Sequence, residues 1–219
     1  MKIFKDRIAA GQLLANRMRN IQADLVLGIP RGGVVVAAVV AKKLNLPLDV
    51  VVTRKIGAPA QEELALGAID PDGEVVWDSR LLKQLELKIE NLKLKIREVK
   101  EEVKRREQLY RQGKSPLELN DKTVILVDDG IATGSTTLAA VRYLKRHGAK
   151  VILAIPVASE EALEKLRPEV SELVVLHTPE YFAAVGQFYH QFEAVTDEEV
   201  MYLLQQNGSS GHKAPFVLD

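Results

Sequence analysis

The sequence predicts an α/β fold: a mostly parallel sheet flanked by helices, with a long helical insertion and a small hood. Three observations lead there. Short apolar runs that read as buried strands alternate with segments of helical length. Two of those strands run straight into glycine-bearing turns that open helices, at residues 28–33 and 128–135. A stretch rich in Lys, Glu, Arg and Leu then separates the two halves.

Taken in order, residues 4–19 carry Ile8, Leu13, Leu14 and Met18 at helical spacing, and residues 23–28 read as a short buried strand. Residues 34–44 form a helix candidate that ends in Lys42 and Lys43, and residues 48–53 are the next strand. Residues 56–78 turn irregular, punctuated by Gly57, Pro59, Gly67, Pro71 and Gly73. From about residue 80 to 112, Leu82, Leu85, Ile89, Leu92, Ile96, Val99 and Val103 follow a heptad seam. That predicts one long amphipathic helix, lying on the domain's own surface or pairing as a coiled coil.

A loop at 113–121 returns the chain to the sheet, where strand (123–127), helix (135–146, closing at Gly148), strand (151–157), helix (160–166) and strand (172–176) follow. The tail from 208 to 219 is polar and reads as flexible.

The 219 residues fit one domain spanning 1–219 with the long helix inserted at about 80–112. Thirty basic and thirty acidic residues cancel, which points away from a nucleic-acid partner. There are no cysteines, so thiolate nucleophiles and cysteine metal sites are excluded. His147, His177, His190 and His212 show no metal-ligand spacing and receive no role. With no apolar h-region and no membrane-length stretch, the reading is a cytoplasmic protein without a membrane partner.

Chemistry concentrates in Val124-Ile125-Leu126-Val127-Asp128-Asp129-Gly130-Ile131-Ala132-Thr133-Gly134-Ser135-Thr136-Thr137. A tight turn entering a helix offers converging backbone N–H groups and the positive end of the helix dipole to a phosphate. Thr133, Ser135 and Thr136 add hydroxyl donors, while two adjacent carboxylates suit the hydroxyls of a sugar. Strand termination and helix capping would explain any one of these features alone. The run lacks the Gly-Lys-Ser/Thr ending of a mononucleotide P-loop, and no Gly-x-Gly-x-x-Gly opens the first helix.

This run resembles the phosphoribosyl diphosphate (PRPP) signature of type I phosphoribosyltransferases. The resemblance implies that Asp128 and Asp129 bind the ribose 2- and 3-hydroxyls, and that Gly130, Ile131, Ala132, Thr133, Gly134, Ser135 and Thr136 hold the 5-phosphate. Two weaker elements agree with it. Gly28-Ile29-Pro30-Arg31-Gly32-Gly33 stands where that family keeps its pyrophosphate loop, with Arg31, Gly32 and Gly33 as candidate contacts. Thr53-Arg54-Lys55 resembles the basic pair that meets the diphosphate, though a solvated strand end would look the same.

The implied activity is displacement at the anomeric carbon of PRPP, with pyrophosphate leaving. Asp128, Asp129, Arg54 and Lys55 are the implied catalytic residues, and Arg31 assists. Mg²⁺ is expected to arrive on PRPP rather than on dedicated protein ligands. The acceptor is a small molecule that the loop does not name, although Ala132 stands where 6-oxopurine members carry an acid. Tyr181, Phe182, Phe188, Tyr189 and Phe192 offer either a stacking surface for a flat acceptor or plain core. The resemblance also implies a homodimer and a mobile hood loop over residues 56–78. The alternative function is a PRPP-binding regulator that performs no transfer.

Overall fold

Asp6 starts the first helix by accepting a hydrogen bond from the Ala9 amide at 2.7 Å, the N-cap role for which a short carboxylate is suited. Helix α1 is Arg7–Arg17, starting later than the sequence suggests because Phe4 is drawn into a β-bridge with Tyr189, and closing at Met18. The computed structural model describes residues 2–59, 61–112 and 117–208. Strand β1 (Leu25–Gly28), helix α2 (Gly32–Leu44) and strand β2 (Leu48–Val50) follow, with Asn45 closing α2 at a φ of 54°. After the central insertion come β6 (Thr123–Val127), α5 (Ser135–Arg146), β7 (Lys150–Val157), α6 (Glu160–Leu166), β8 (Glu172–His177) and α7 (Asp197–Gly208).

The five-stranded sheet has the order β2-β1-β6-β7-β8 and is parallel throughout. Both faces are buried, so each strand reads as a continuous apolar run whose alternate residues serve opposite cores. Ile125, Val127, Ile152 and Ala154 face α1, α2 and α7, while Val124, Leu126, Leu153 and Ile155 face α5 and α6. The expected fold class is the one found.

Residues 54–77 are not an irregular loop. They form a second, antiparallel sheet of β3 (Arg54–Ala58), β4 (Gln61–Ile69) and β5 (Val75–Trp77). Asp70 closes the β4–β5 turn by accepting from the Glu74 amide at 3.0 Å, with Gly73 at a φ of 81°. Thr53, Arg54 and Lys55 therefore do not end β2. Its ladder stops at Val50, and Arg54 and Lys55 open β3 of the hood.

The long helix is also broken. Helix α3 (Ser79–Gln84), capped by Asp78, ends before Glu86, which adopts a left-handed φ of 51°. Leu87 then bonds back to the Leu82 carbonyl, and a 3-10 turn at Ile89–Leu92 leads into α4 (Lys93–Arg111). The physical reason is a change of partner along the seam. Leu82 and Leu92 pack with Ala58 and Leu66 of the hood, whereas Val99 and Val103 join the main core. A straight helix cannot meet both surfaces, so Leu85 and Ile89 turn outward. Leu82, Leu92, Ile96, Val99 and Val103 of the seam pack within the domain itself. The 113–116 portion of the returning loop and the 209–219 portion of the tail lie outside the described residues.

Leu92 is 1% exposed and Ile89 is 43% exposed. Leu92→Ala is therefore expected to lower the unfolding free energy by about 2–5 kcal/mol, and Ile89→Ala to change it by less than about 0.5 kcal/mol, in urea denaturation. Equal losses at the two positions would mean the seam is buried against another chain.

Candidate active site

Helices α2 and α5 leave neighbouring strands β1 and β6 toward opposite faces of the sheet, since α2 packs in one core and α5 in the other. The crevice between them, outside the carboxyl ends of the strands, is where open α/β sheets place their ligands. Both helices begin there without a side-chain cap, although α1, α3 and α6 are capped by Asp6, Asp78 and Ser159. Uncapped first turns direct unpaired amides and a positive dipole end into one crevice.

Asp128 and Asp129 stand at the end of β6. The Asp129 amide donates to Asp128 Oδ1 at 2.8 Å, and Arg7 Nε donates to Asp129 Oδ2 at 2.7 Å. Gly32 and Gly33 press directly on this pair: a Cβ on Gly32 would collide with Asp129 Oδ2, and one on Gly33 would lie 2.8 Å from Asp128 Cα. Burial and the neighbouring Asp129 charge push the Asp128 carboxyl well above the ordinary carboxylate range. Burial raises Asp129 as well, opposed by Arg7.

Beyond the acids the loop is pinned to the end of β7 and the start of α6. The Ile131 amide donates to the Val157 carbonyl at 2.9 Å, and Ser159 Oγ donates to the Ala132 carbonyl at 2.5 Å. Ile131 is buried, and a Cβ on Gly130 would strike the Val185 side chain, so these two residues pack against the protein's own frame. Ala132 and Thr133 are exposed. Gly134, at a φ of 80°, turns the chain into α5. Thr133, Gly134 and Ser135 line a cavity of about 160 Å³ with Asp78, Ser79 and Lys165.

A second cavity, of about 390 Å³, lies on the other side of the crevice. Pro30, Thr53, Arg54, Lys55 and Thr136 line it, joined by Lys95, Val99 and Arg106 of α4. Arg31 does not line this cavity. It stands 3.5 Å from Asp197 at the start of α7. The aromatic cluster divides: Phe188 and Tyr189 are core with Phe4, and Tyr181 is 80% exposed.

The phosphoribosyl transferase domain family matches residues 4–193 of the chain, taking in the crevice and both of its loops. The chain belongs to that family. A relative in two strains of Mycobacterium tuberculosis, provisionally called a phosphoribosyl transferase, is 42% identical over 209 residues, which are 94% of this chain and 47% of the relative. The chain thus spans about half the length of those curated relatives. The crystal structure of TT1426 from Thermus thermophilus is 41% identical, with a TM-score of 0.77 over 94% of this chain and 99% of that one. A hypothetical protein from Neisseria gonorrhoeae with bound ppGpp, 15% identical, shares the fold with a TM-score of 0.50 over 94% of this chain and 97% of that one.

Within this phosphoribosyl transferase domain, some residues at the site carry no local signal in the sequence. Arg7 reaches Asp129 from a helix more than a hundred residues away, its guanidinium lying over the Phe192 ring at 3.8 Å. Tyr189 donates its hydroxyl to the Asp129 carbonyl at 2.5 Å. The cavity-lining residues of α4 are hidden in a stretch that reads only as amphipathic helix. Tyr189 belongs to the aromatic cluster visible in the sequence, but its bond to Asp129, like the places of Arg7 and the α4 residues, is given only by the fold.

The raised Asp128 carboxyl predicts a pH-dependent stability effect. Ionising it in the folded state costs more than in the unfolded chain, so the parent loses stability as the pH rises through its folded pKa, and regains it where acid protonates the group in both states. Asp128→Asn is expected to stabilise the ligand-free protein by about 0.5–2 kcal/mol near pH 8, a gain that fades toward about pH 4. Thermal unfolding across that range measures it, and a pH-independent difference would contradict the burial argument.

Proposed function

We propose that this domain transfers a 5-phosphoribosyl group from PRPP to a small-molecule acceptor, releasing pyrophosphate. The observation that carries the reading is the acid pair at the end of β6, clasped by Gly32 and Gly33 between two uncapped helices and flanked by a basic cavity. In this reading the 5-phosphate sits on the amides and hydroxyls of residues 132–136, with Ser135 and Thr136 in the first turn of α5. Asp128 and Asp129 take the ribose hydroxyls, whose donation offsets the burial of the carboxylates. The diphosphate lies toward Arg54 and Lys55.

Transfer breaks the bond from C1 to the diphosphate oxygen, the electron pair leaving with pyrophosphate. The acceptor's lone pair forms the new bond to C1, and the acceptor's proton is lost. Charge grows on the leaving group, and Arg54 and Lys55 stabilise it there. Asp128 and Asp129 hold the ring so that C1 presents one face to the acceptor.

The donor set fits a Mg²⁺ carried on the diphosphate. Among the described residues no three carboxylates or histidines converge, and Asp129 is already engaged by Arg7. When bound, the ion supplies Lewis-acid neutralisation of diphosphate oxygens. Among the described residues no helix is long and apolar enough to cross a membrane.

The test offers PRPP, Mg²⁺ and a panel of nucleobases and related acceptors while pyrophosphate release is followed, with calorimetry for PRPP alone. Release with one acceptor class supports the transferase. Tight PRPP binding without release for any acceptor would assign a sensor instead. Asp129→Asn is expected to weaken PRPP binding about 10- to 100-fold, the worth of charge-assisted hydrogen bonds lost from a partly buried site. Unchanged PRPP binding in that variant would remove the acid pair from the donor site.

A further inference from the structure

We propose that helix α4 supplies an anion-contacting residue, Arg106, to the basic cavity, and that Glu102 is its internal placeholder, holding Arg106 and Arg54 until the diphosphate of the donor displaces it. The inference rests on the PRPP reading above and adds to it a wall of the site that none of the three sequence elements contains.

Lys95, Val99 and Arg106 recur on one face of α4 and all line the cavity of about 390 Å³ with Arg54, Lys55 and Thr136. Arg106 is only 17% exposed, and its Nε donates to Glu102 Oε1 at 2.7 Å, while Arg54 Nη1 stands 3.4 Å from the same oxygen. One carboxylate oxygen is thus shared by three guanidinium groups, since Arg105 Nη2 reaches it as well, at 3.0 Å. The residual positive charge is felt by Arg54, whose guanidinium is pushed below its ordinary value by burial and by Arg106. Arg105 engages both Glu102 oxygens and pushes that carboxyl down to about 2, so Glu102 is an anion throughout the physiological range.

A bond through Nε uses one of the five donors of a guanidinium, and a planar fork suits phosphate oxygens better than a point charge does. On the cavity wall, Thr53 is 7% exposed and its hydroxyl has no hydrogen-bond partner among the described residues. Three crowded cations sharing one carboxylate, two of them at the cavity beside an unsatisfied hydroxyl, form a site that a polyanion completes. Diphosphate carries the charge and the number of acceptors required.

Titration calorimetry of Mg-pyrophosphate, and separately of PRPP, into the full chain tests the assignment. Arg106→Gln is expected to weaken pyrophosphate binding by about tenfold or more and Arg106→Lys by a smaller factor, because Lys keeps the charge and loses the fork. Lys104→Gln removes the same charge from an exposed position of the same helix, and is expected to stay within about twofold of the parent. Glu102→Gln is expected to tighten pyrophosphate binding about threefold or more, an opposite sign that a merely structural role does not produce. Circular dichroism melts confirm that each variant is folded; if Arg106→Gln unfolds, Arg106→Lys and Glu102→Gln carry the test.

Parent-like pyrophosphate affinity in Arg106→Gln, or in Arg106→Lys where that variant stands in for it, would overturn the role of Arg106. Weaker or parent-like binding in Glu102→Gln would overturn the placeholder. A parent that binds PRPP and pyrophosphate with either result leaves the transferase reading standing and removes only the α4 assignment. A parent that binds neither ligand removes both.

Discussion

The close contact between the Gly32–Gly33 backbone and the Asp128–Asp129 pair is the constraint on which the site depends. Strands β1 and β6 are paired along their length and the pairing runs on past the ladder, with the Ile29 amide bonded to the Val127 carbonyl. The chain leaving β1 must therefore cross the end of β6 before α2 can begin. Any side chain on Gly32 would occupy the place of the Asp129 carboxylate and crowd Arg7 Nε, which lies 2.8 Å from the same Cβ position. With glycine there, Arg7 fits into the contact and ties α1 to the acid. Arg7 also donates to the Glu193 carbonyl at 2.8 Å, and Tyr189 reaches Asp129 from the same late segment. Two regions far apart in sequence thus meet at one residue, Arg7 at the Asp129 carboxylate and Tyr189 at its backbone carbonyl.

That convergence comes at some cost to the ligand-free protein. Asp128 has no cation comparable to Arg7 and sits beside a second carboxylate, so the burial that shapes the crevice also opposes its ionisation. Across the crevice Arg54 and Arg106 oppose each other over a single carboxylate. Helices α1, α3 and α6 satisfy their first turns with Asp6, Asp78 and Ser159, and α4 is entered through a 3-10 turn, whereas α2 and α5 open into the crevice with neither. Unpaired charge and uncapped first turns thus coincide at the crevice, the pattern expected where binding supplies the missing partners.

The parts of this arrangement that were legible in the sequence are those whose side chains obey a single period. Strands β6 and β7, buried on both faces, show as unbroken apolar runs, and helices α5 and α6 as amphipathic segments with a glycine or a serine at their ends. The hood was not legible because its glycines looked like loop punctuation. They are packing glycines: a Cβ on Gly57 would collide with the Glu62 carbonyl oxygen, and one on Gly67 with that of Val76, so each permits a cross-strand approach. The heptad across residues 82–103 concealed the break at Glu86 because both helices contribute apolar residues in phase while packing on different surfaces. Arg7 and Arg106 have no local signature at all, since their significance is given only by what the fold places opposite them.

Along the crevice the chemistry changes sign twice. Arg54, Lys55, Lys95 and Arg106 gather at one side, the two carboxylates stand in the middle, and the uncapped N-terminus of α5 with Lys165 near it lies at the other. A simple anion would satisfy either flank and be repelled by the centre. A neutral sugar would satisfy the centre and leave both flanks unpaired. A molecule with anionic groups at both ends and hydroxyls between them meets all three regions at once, which is the physical ground for preferring a diphosphorylated, 5-phosphorylated pentose over either simpler ligand. On the proposed transferase reading the loop offers an acceptor little to grip, since its exposed residues are the small Ala132 and Thr133. On the same proposed reading, donor recognition is shared between the two glycine-rich loops of the parallel sheet and the basic cavity of the hood and α4, and acceptor choice falls to the surfaces around them.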